Sequence, residues 1–134
     1  MIITEDLVLS LTGDYDPEVV QRIDLSGKGI SKIQNLERCI NVIDLSLAHN
    51  NISRIEGLEG LGKLKRLDIS NNRLSSLEGI QLLKSLEHIN LSGNNIDDMR
   101  MLKLLLQLPN LKTLSFQTES SRYLQPQGLK LKLL

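Results

Sequence analysis

The sequence predicts an α/β solenoid, a right-handed horseshoe whose short strands stack into one parallel concave sheet backed by a convex row of return segments. A repeated motif predicts it first. Val42-Ile43-Asp44-Leu45-Ser46-Leu47-Ala48-His49-Asn50-Asn51-Ile52 recurs as Leu64-Lys65-Arg66-Leu67-Asp68-Ile69-Ser70-Asn71-Asn72-Arg73-Leu74. It recurs again as Leu86-Glu87-His88-Ile89-Asn90-Leu91-Ser92-Gly93-Asn94-Asn95-Ile96, each copy starting 22 residues after the one before. The second observation is the shared grammar, L-x-x-L-x-L-x-x-N-x-L with Val or Ile allowed for Leu, which fits one short strand and one return per coil. The third is that a unit this small cannot bury its apolar face alone and must stack on its neighbours.

The elements follow in order. Residues 1–19 form an N-terminal cap. Thr4 is an N-cap residue, Glu5 and Asp6 fill the first turn, and Ile3, Leu7 and Leu11 recur at i, i+4 and i+8. This predicts a short amphipathic helix, ending near Gly13, that covers the open end of the first coil. Asp14-Tyr15-Asp16-Pro17 reads as a loop.

Four repeats occupy 20–110. The interior positions are Val20, Ile23, Leu25, Ile30, Ile33, Leu36 and Cys39; then Val42, Leu45, Leu47, Ile52, Ile55, Leu58 and Leu61; then Leu64, Leu67, Ile69, Leu74, Leu77, Ile80 and Leu83; and finally Leu86, Ile89, Leu91, Ile96, Met99 and Leu102. Asn50, Asn72 and Asn94 form a structural ladder expected to bond backbone groups of adjacent coils. Lys28 takes that place in the first coil, where the ladder has no further neighbour to serve.

The next strand start, Leu111, comes 25 residues after Leu86. The insertion in Met99–Leu108 predicts a fuller convex helix ended by Pro109. Residues 111–134 form an atypical terminal repeat and tail, with Glu119 where Asn belongs and Ser121 where Leu belongs. Gly128–Leu134 alternates with period two, so it is expected either to cover the last sheet edge or to end exposed. The whole chain, 1–134, reads as one domain.

Sixteen basic and sixteen acidic residues cancel, which leaves no global field toward nucleic acid or acidic lipid. One Phe, two Tyr and no Trp supply no stacking platform for single-stranded nucleic acid. No unbroken apolar run exceeds three residues, the length of Leu104–Leu106, which is too short to span a bilayer. Met1–Asp6 carries acids where a signal peptide needs Lys or Arg. The single cysteine, Cys39, falls on an apolar template position, as expected of a buried thiol in a reducing compartment. These features together predict a cytoplasmic or nuclear protein, expected to be a monomer.

Ile52-Ser53-Arg54-Ile55-Glu56-Gly57-Leu58-Glu59-Gly60-Leu61, followed by Leu64–Asn72, resembles the 22-residue leucine-rich-repeat subfamily typified by the regulatory leucine-rich subunit of protein phosphatase 1. Thr12–Val20 is similar to the same stretch of the leucine-rich repeat-containing protein 61 group. The resemblance covers about residues 20–116. It implies a leucine-rich-repeat solenoid with a five-stranded parallel concave sheet, a 3-10 or helical convex side and an N-terminal helical cap. The subfamily also takes in ciliary, nuclear and spliceosomal members that share a scaffold and differ in partner, which implies cytoskeletal, ciliary and nuclear sites as alternatives to the cytoplasm. Its members usually close with a Tyr-Arg pair and a Leu-Pro-x-Leu motif; here the pair is reversed as Arg122-Tyr123 and no Leu-Pro-x-Leu comes after it.

Function then falls to the concave face. Its columns are Asp24, Ser46, Asp68, Asn90 and Ser115; Arg22, Asp44, Arg66, His88 and Thr113; and Gln21, Ile43, Lys65, Glu87 and Lys112. With strands about 4.8 Å apart, Arg22, Asp44 and Arg66 are expected to pair laterally. One reading is a solvated face with weak ion pairs. The other is a partner-binding surface made of Arg22, Asp24, Ile43, Asp44, Ser46, Lys65, Arg66, Asp68, Glu87, His88 and Asn90, with Ile43 as the apolar anchor.

No catalytic residue, metal or cofactor is expected. Asp24 and Asp68 lie about 10 Å apart by that spacing, with no His between them. His49 and His88 sit too far apart to share a metal ion. Ser26-Gly27-Lys28-Gly29 fails as a phosphate loop, since Arg22 stands where the first Gly is required and Gly29 follows the Lys.

The predicted function is a non-catalytic interaction module or scaffold that binds another protein, for which a helical segment about 10 Å across is a fitting shape. A face of roughly 350 Å² is under half the ~800 Å² per partner of a standard interface. The loop edge Ser53-Arg54, Ser75-Ser76 and Asp97-Asp98, or the convex side, must therefore contribute. The alternatives are a ribonucleoprotein subunit contacting RNA only through its partner, favoured by basic clustering, and a hydrolase of unknown type, favoured by a deep pocket with perturbed titratable groups.

Overall fold

Each copy of the motif folds into a strand only three residues long, with one side chain turned inward and two turned out. A computed structural model of the chain describes residues 1–116 and 129–132. The strands are β1 (Arg22–Asp24), β2 (Asp44–Ser46), β3 (Arg66–Asp68), β4 (His88–Asn90) and β5 (Thr113–Phe116). All five pair in parallel and in chain order, because each return segment brings the chain back to the same end of the sheet. Their register sets Ile23, Leu45, Leu67, Ile89 and Leu114 in one row, none more than 3% exposed. That row is the spine of the core.

The backbone ladder runs on past the regular strands. Gln21 O accepts from the Ile43 N–H at 2.8 Å, and the Gly27 N–H donates to Ala48 O at 3.0 Å. Past the strand, each of the first four coils turns through a left-handed residue at the same template position: Gly27, His49, Asn71 and Gly93, with φ between 55° and 72°. Gly and Asn tolerate this conformation. His49 is held in it by its N–H, which donates to Ser70 O at 3.0 Å.

The Asn ladder completes the turn. Asn50 Oδ1 accepts from the N–H groups of Lys28 and Ile30 in the coil before it, while its Nδ2 donates to Leu25 O, Leu47 O and Ala48 O. Asn72 and Asn94 repeat the arrangement one and two coils on. The amide of each is buried, and its bonds satisfy backbone groups that the tight turn leaves without partners.

The cap helix α1 spans Glu5–Thr12, with the Leu7 N–H donating to Thr4 Oγ1 at 3.1 Å and Gly13 as a left-handed C-cap. Its apolar face differs from the i, i+4, i+8 expectation. Val8 is fully buried, while Leu11 is 43% exposed. Ile3 lies one residue before the N-cap and is not helical, so counting the helical period from it misplaces the face. Ile3 and Val8 instead occupy the two positions of a hydrophobic staple, both buried.

The insertion forms a 3-10 helix over Met99–Gln107, just before Pro109. Here two interior expectations fail. Met99 is 52% exposed and Leu102 half-buried, whereas Leu105 and Leu108 are buried. With three residues per turn, this face rolls gradually into the core. Burial is set by the distance back from Leu111, as Ile80 and Leu83 stand to Leu86.

The sheet also has a sixth strand beyond the five parallel ones. β6 (Leu129–Lys132) pairs antiparallel with β5, Phe116 opposite Leu129 and Thr113 opposite Lys132. Of the two expectations for the tail, edge-covering is the one observed for these residues. Glu119, Ser121, Arg122 and Tyr123, which carried the departures from the repeat and its closing cap, lie outside the described residues.

Candidate functional site

Parallel pairing in one register turns the outward side chains of β1–β5 into straight columns. Arg22, Asp44, Arg66, His88 and Thr113 lie across from one another, and so do Asp24, Ser46, Asp68, Asn90 and Ser115. The eleven candidate residues therefore come from four neighbouring strands and their flanks. The Asn ladder residues point inward and take no part in this face.

Ion pairing does not follow the expected column. Among the described residues, Arg22, Asp44 and Arg66 form no salt bridge with one another. The pairing lies one residue earlier along the strands, where Glu87 holds Lys112 at 2.7 Å and Lys65 at 3.8 Å. Lys and Glu side chains are long enough to span the inter-strand gap; the short Asp44 carboxylate reaches neither guanidinium. The Lys112 hydrogen bond, followed by the charges of Lys112 and Lys65, draws the Glu87 carboxyl below the usual carboxylate range. These pairs are exposed and stabilise the fold little.

Three candidates turn out to serve the fold. Asp24 Oδ1 accepts from the Ser26 N–H at 3.0 Å and from Ser26 Oγ at 2.6 Å. Asp68 does the same with Ser70 at 2.9 and 2.6 Å, and Asn90 Oδ1 accepts from the Ser92 N–H at 3.0 Å. These Asx turns end the strands. Their signal stood in the sequence as Asp24-x-Ser26, Asp68-x-Ser70 and Asn90-x-Ser92, but it was overshadowed by the periodicity. The Ser26 hydroxyl, then its backbone N–H, holds the Asp24 carboxyl below its ordinary range.

Two open depressions mark the face. One, of about 260 Å³, is lined by Arg22, Ile43, Asp44, Lys65, Arg66, Glu87 and His88. The other, of about 580 Å³, lies toward the cap between Leu11 and Thr12 of α1 and Arg22, Asp24, Lys28, Asp44 and Ser46 of the first coils. Leu11, Thr12, Lys28, Lys112 and Thr113 were not among the predicted site residues. The cap contributes because α1 packs on β1, as expected of a helix covering the first coil, and this brings Leu11 and Thr12 to the rim of the face. His88 Nδ1 lies 2.7 Å from Thr113 Oγ1, which fixes the ring against the neighbouring strand.

Chemically, the face can accept and donate hydrogen bonds and match charge. Among the described residues, no three His, Cys, Asp or Glu side chains gather where they could hold a metal ion. Cys39 is buried, and burial pushes its thiol up from the ordinary value. No helix among the described residues is long and apolar enough to cross a membrane.

Comparison with proteins of known structure returns chains with the same coil. An internalin (inlF) of Listeria monocytogenes is 28% identical, with a TM-score of 0.66 over 73% of this chain. This chain spans only 28% of that one. A chain of the Drosophila melanogaster SNF/U2A′ complex is 26% identical, with a TM-score of 0.72 over 94% of this chain and 81% of its own. Internalin C2 (inlC2) of Listeria monocytogenes, at 21% identity and a TM-score of 0.60 over 75% of this chain and 53% of its own, shares the fold. A comparison with curated proteins gives no match. Leucine-rich-repeat proteins generally mediate contacts between proteins, on a fold that is generally non-catalytic. With a family model for the leucine-rich repeat matching residues 2–124, and with its coils stacked in one register, the chain belongs to the leucine-rich repeat family.

Proposed function

We propose that this chain is a non-catalytic protein-binding scaffold of the 22-residue subfamily that holds a helical segment of a partner across its concave strands. The observation that carries this reading is the ruled face itself. Five strands in one register present charged and polar side chains, with Ile43 half-buried among them on the flank of β2. The open depression around Ile43 is too shallow to enclose a small molecule and suits a convex surface laid across it. Regular strands of three residues make the face small against ~800 Å² per partner, so the loop edge of Ser53-Arg54, Ser75-Ser76 and Asp97-Asp98, or the convex side, joins it. The likeness to a chain of the SNF/U2A′ complex supports an assembly partner.

A second reading, a subunit of a ribonucleoprotein that meets RNA through its partner, is supported by Lys32, Arg54 and Arg73. All three are exposed on the loop edge of the first three coils, and none forms an ion pair among the described residues.

Affinity capture with wild type, Ile43→Asp and Arg66→Glu tests the first reading. The expected result is loss of the same prey in both variants, with circular dichroism unchanged. Prey retained by both variants places the interface elsewhere and overturns it.

A further inference from the structure

We propose that the concave face selects its partner by charge order: a helix carrying acidic, basic and acidic side chains at i, i+4 and i+7, read by Arg22, Asp44 and Arg66. This rests on the concave-face reading above and adds which helix fits. The three side chains lie opposite one another on β1, β2 and β3. Unlike Glu87, which already holds Lys65 and Lys112, they make no salt bridge among the described residues. Both arginines are exposed, and Asp44 is half-buried between them.

Spacing supports a helix lying across the strands. Two strand steps separate Arg22 from Arg66 by about 10 Å. In a helix, i and i+7 lie about 10.5 Å apart along the axis and share a face, with i+3 and i+4 between them. A carboxylate at each end meets a guanidinium, whose planar fork can bind it through two hydrogen bonds. A base at the centre meets Asp44, and an apolar residue beside it meets Ile43 in the same depression. A uniformly acidic helix would place its central carboxylate against Asp44, and a partner of the opposite order would meet like charge three times. The proposed discrimination therefore comes from repulsion as much as attraction.

The test uses the full chain and Ala-based helical peptides, each with one Leu for Ile43 and differing only at i, i+4 and i+7. Binding is followed by NMR through backbone amides and the arginine Nε–H signals. The Glu–Arg–Glu peptide is expected to bind about tenfold tighter than Arg–Glu–Arg and to shift the Nε–H signals of Arg22 and Arg66. The variant Arg22→Glu, Asp44→Arg, Arg66→Glu is expected to invert that preference. A Glu–Glu–Glu peptide that binds as tightly as Glu–Arg–Glu overturns the proposal, because Asp44 then takes no part. An unchanged preference in the triple variant also overturns it. If all peptides bind alike and Ile43→Asp abolishes binding, the charge order falls while the concave face stands. No shift at any concave residue overturns the charge order, and the capture experiment then judges the face separately.

Discussion

The first coil and the inner coils follow one template, yet two of their positions are filled differently. Where the inner coils carry Asn50, Asn72 and Asn94, the first carries Lys28. The oxygen of each Asn reaches backward, to the N–H groups of the preceding coil. The first coil has no coil before it, so an Asn at position 28 would have nothing to receive. The second position is Asn35, which stands where the next two coils have Gly57 and Gly79. All three are left-handed, with φ of 64°, 73° and 101°. A Cβ on Gly57 or Gly79 would run into the carbonyl of Ile33 or Ile55 in the coil before. At Asn35 the neighbour is the cap instead, and its Nδ2 donates to Ile3 O at 2.7 Å. A template position thus specifies a residue only through the coil that precedes it.

The largest test of this contrast is Asn72→Ala. It removes donors from three buried carbonyls and an acceptor from the Ile52 N–H, at an expected cost of about 3 kcal/mol or more. Lys28→Asn, by the same argument, should change stability by less than about 0.5 kcal/mol. Urea denaturation of both variants checks the pair, and a comparable gain from Lys28→Asn would break the comparison.

Next in size is Gly79→Ala, expected to cost about 2–3 kcal/mol through left-handed backbone and the clash with Ile55. Asn35→Gly keeps the conformation and reports the bond to Ile3 O alone, about 1 kcal/mol. A higher denaturation midpoint for Asn35→Gly than for wild type would show instead that the cap crowds this position as a coil does.

The smallest effect is electrostatic and belongs to the Asx turn of the first coil. The folded Asp24 carboxyl titrates below its unfolded value of about 3.9. Its contribution is therefore present above that value and is lost as pH falls through the lowered folded one. Stability measured from about pH 6 down to about pH 2.5 should show this loss in wild type, and a smaller one in Asp24→Asn.

Much of the fold was legible because the template repeats. Twenty-five of the 27 predicted interior residues of 20–110 are buried. The two that are not, Met99 and Leu102, sit in the single segment where the period changes from 22 to 25. The strand columns were legible for the same reason. The pairing within them was not, since Glu87 rather than Asp44 became the shared carboxylate through reach, which a column of letters does not record. Nor did periodicity distinguish Asp24, Asp68 and Asn90, whose side chains end the strands, from Arg22 and Arg66, which are exposed and form no salt bridge among the described residues.

The sequence by itself determined which residues face inward and that the coils stack in one register, because a 22-residue apolar period has one way to close on its neighbours. Tertiary structure alone decided what stands at the two ends: the staple of Ile3 and Val8, the bond from Asn35, and an antiparallel β6 on the edge of β5. The physical reason is that an interior coil meets a copy of itself, so its contacts are written in its own repeat. An end coil meets something unlike itself, and only the folded chain brings the two together.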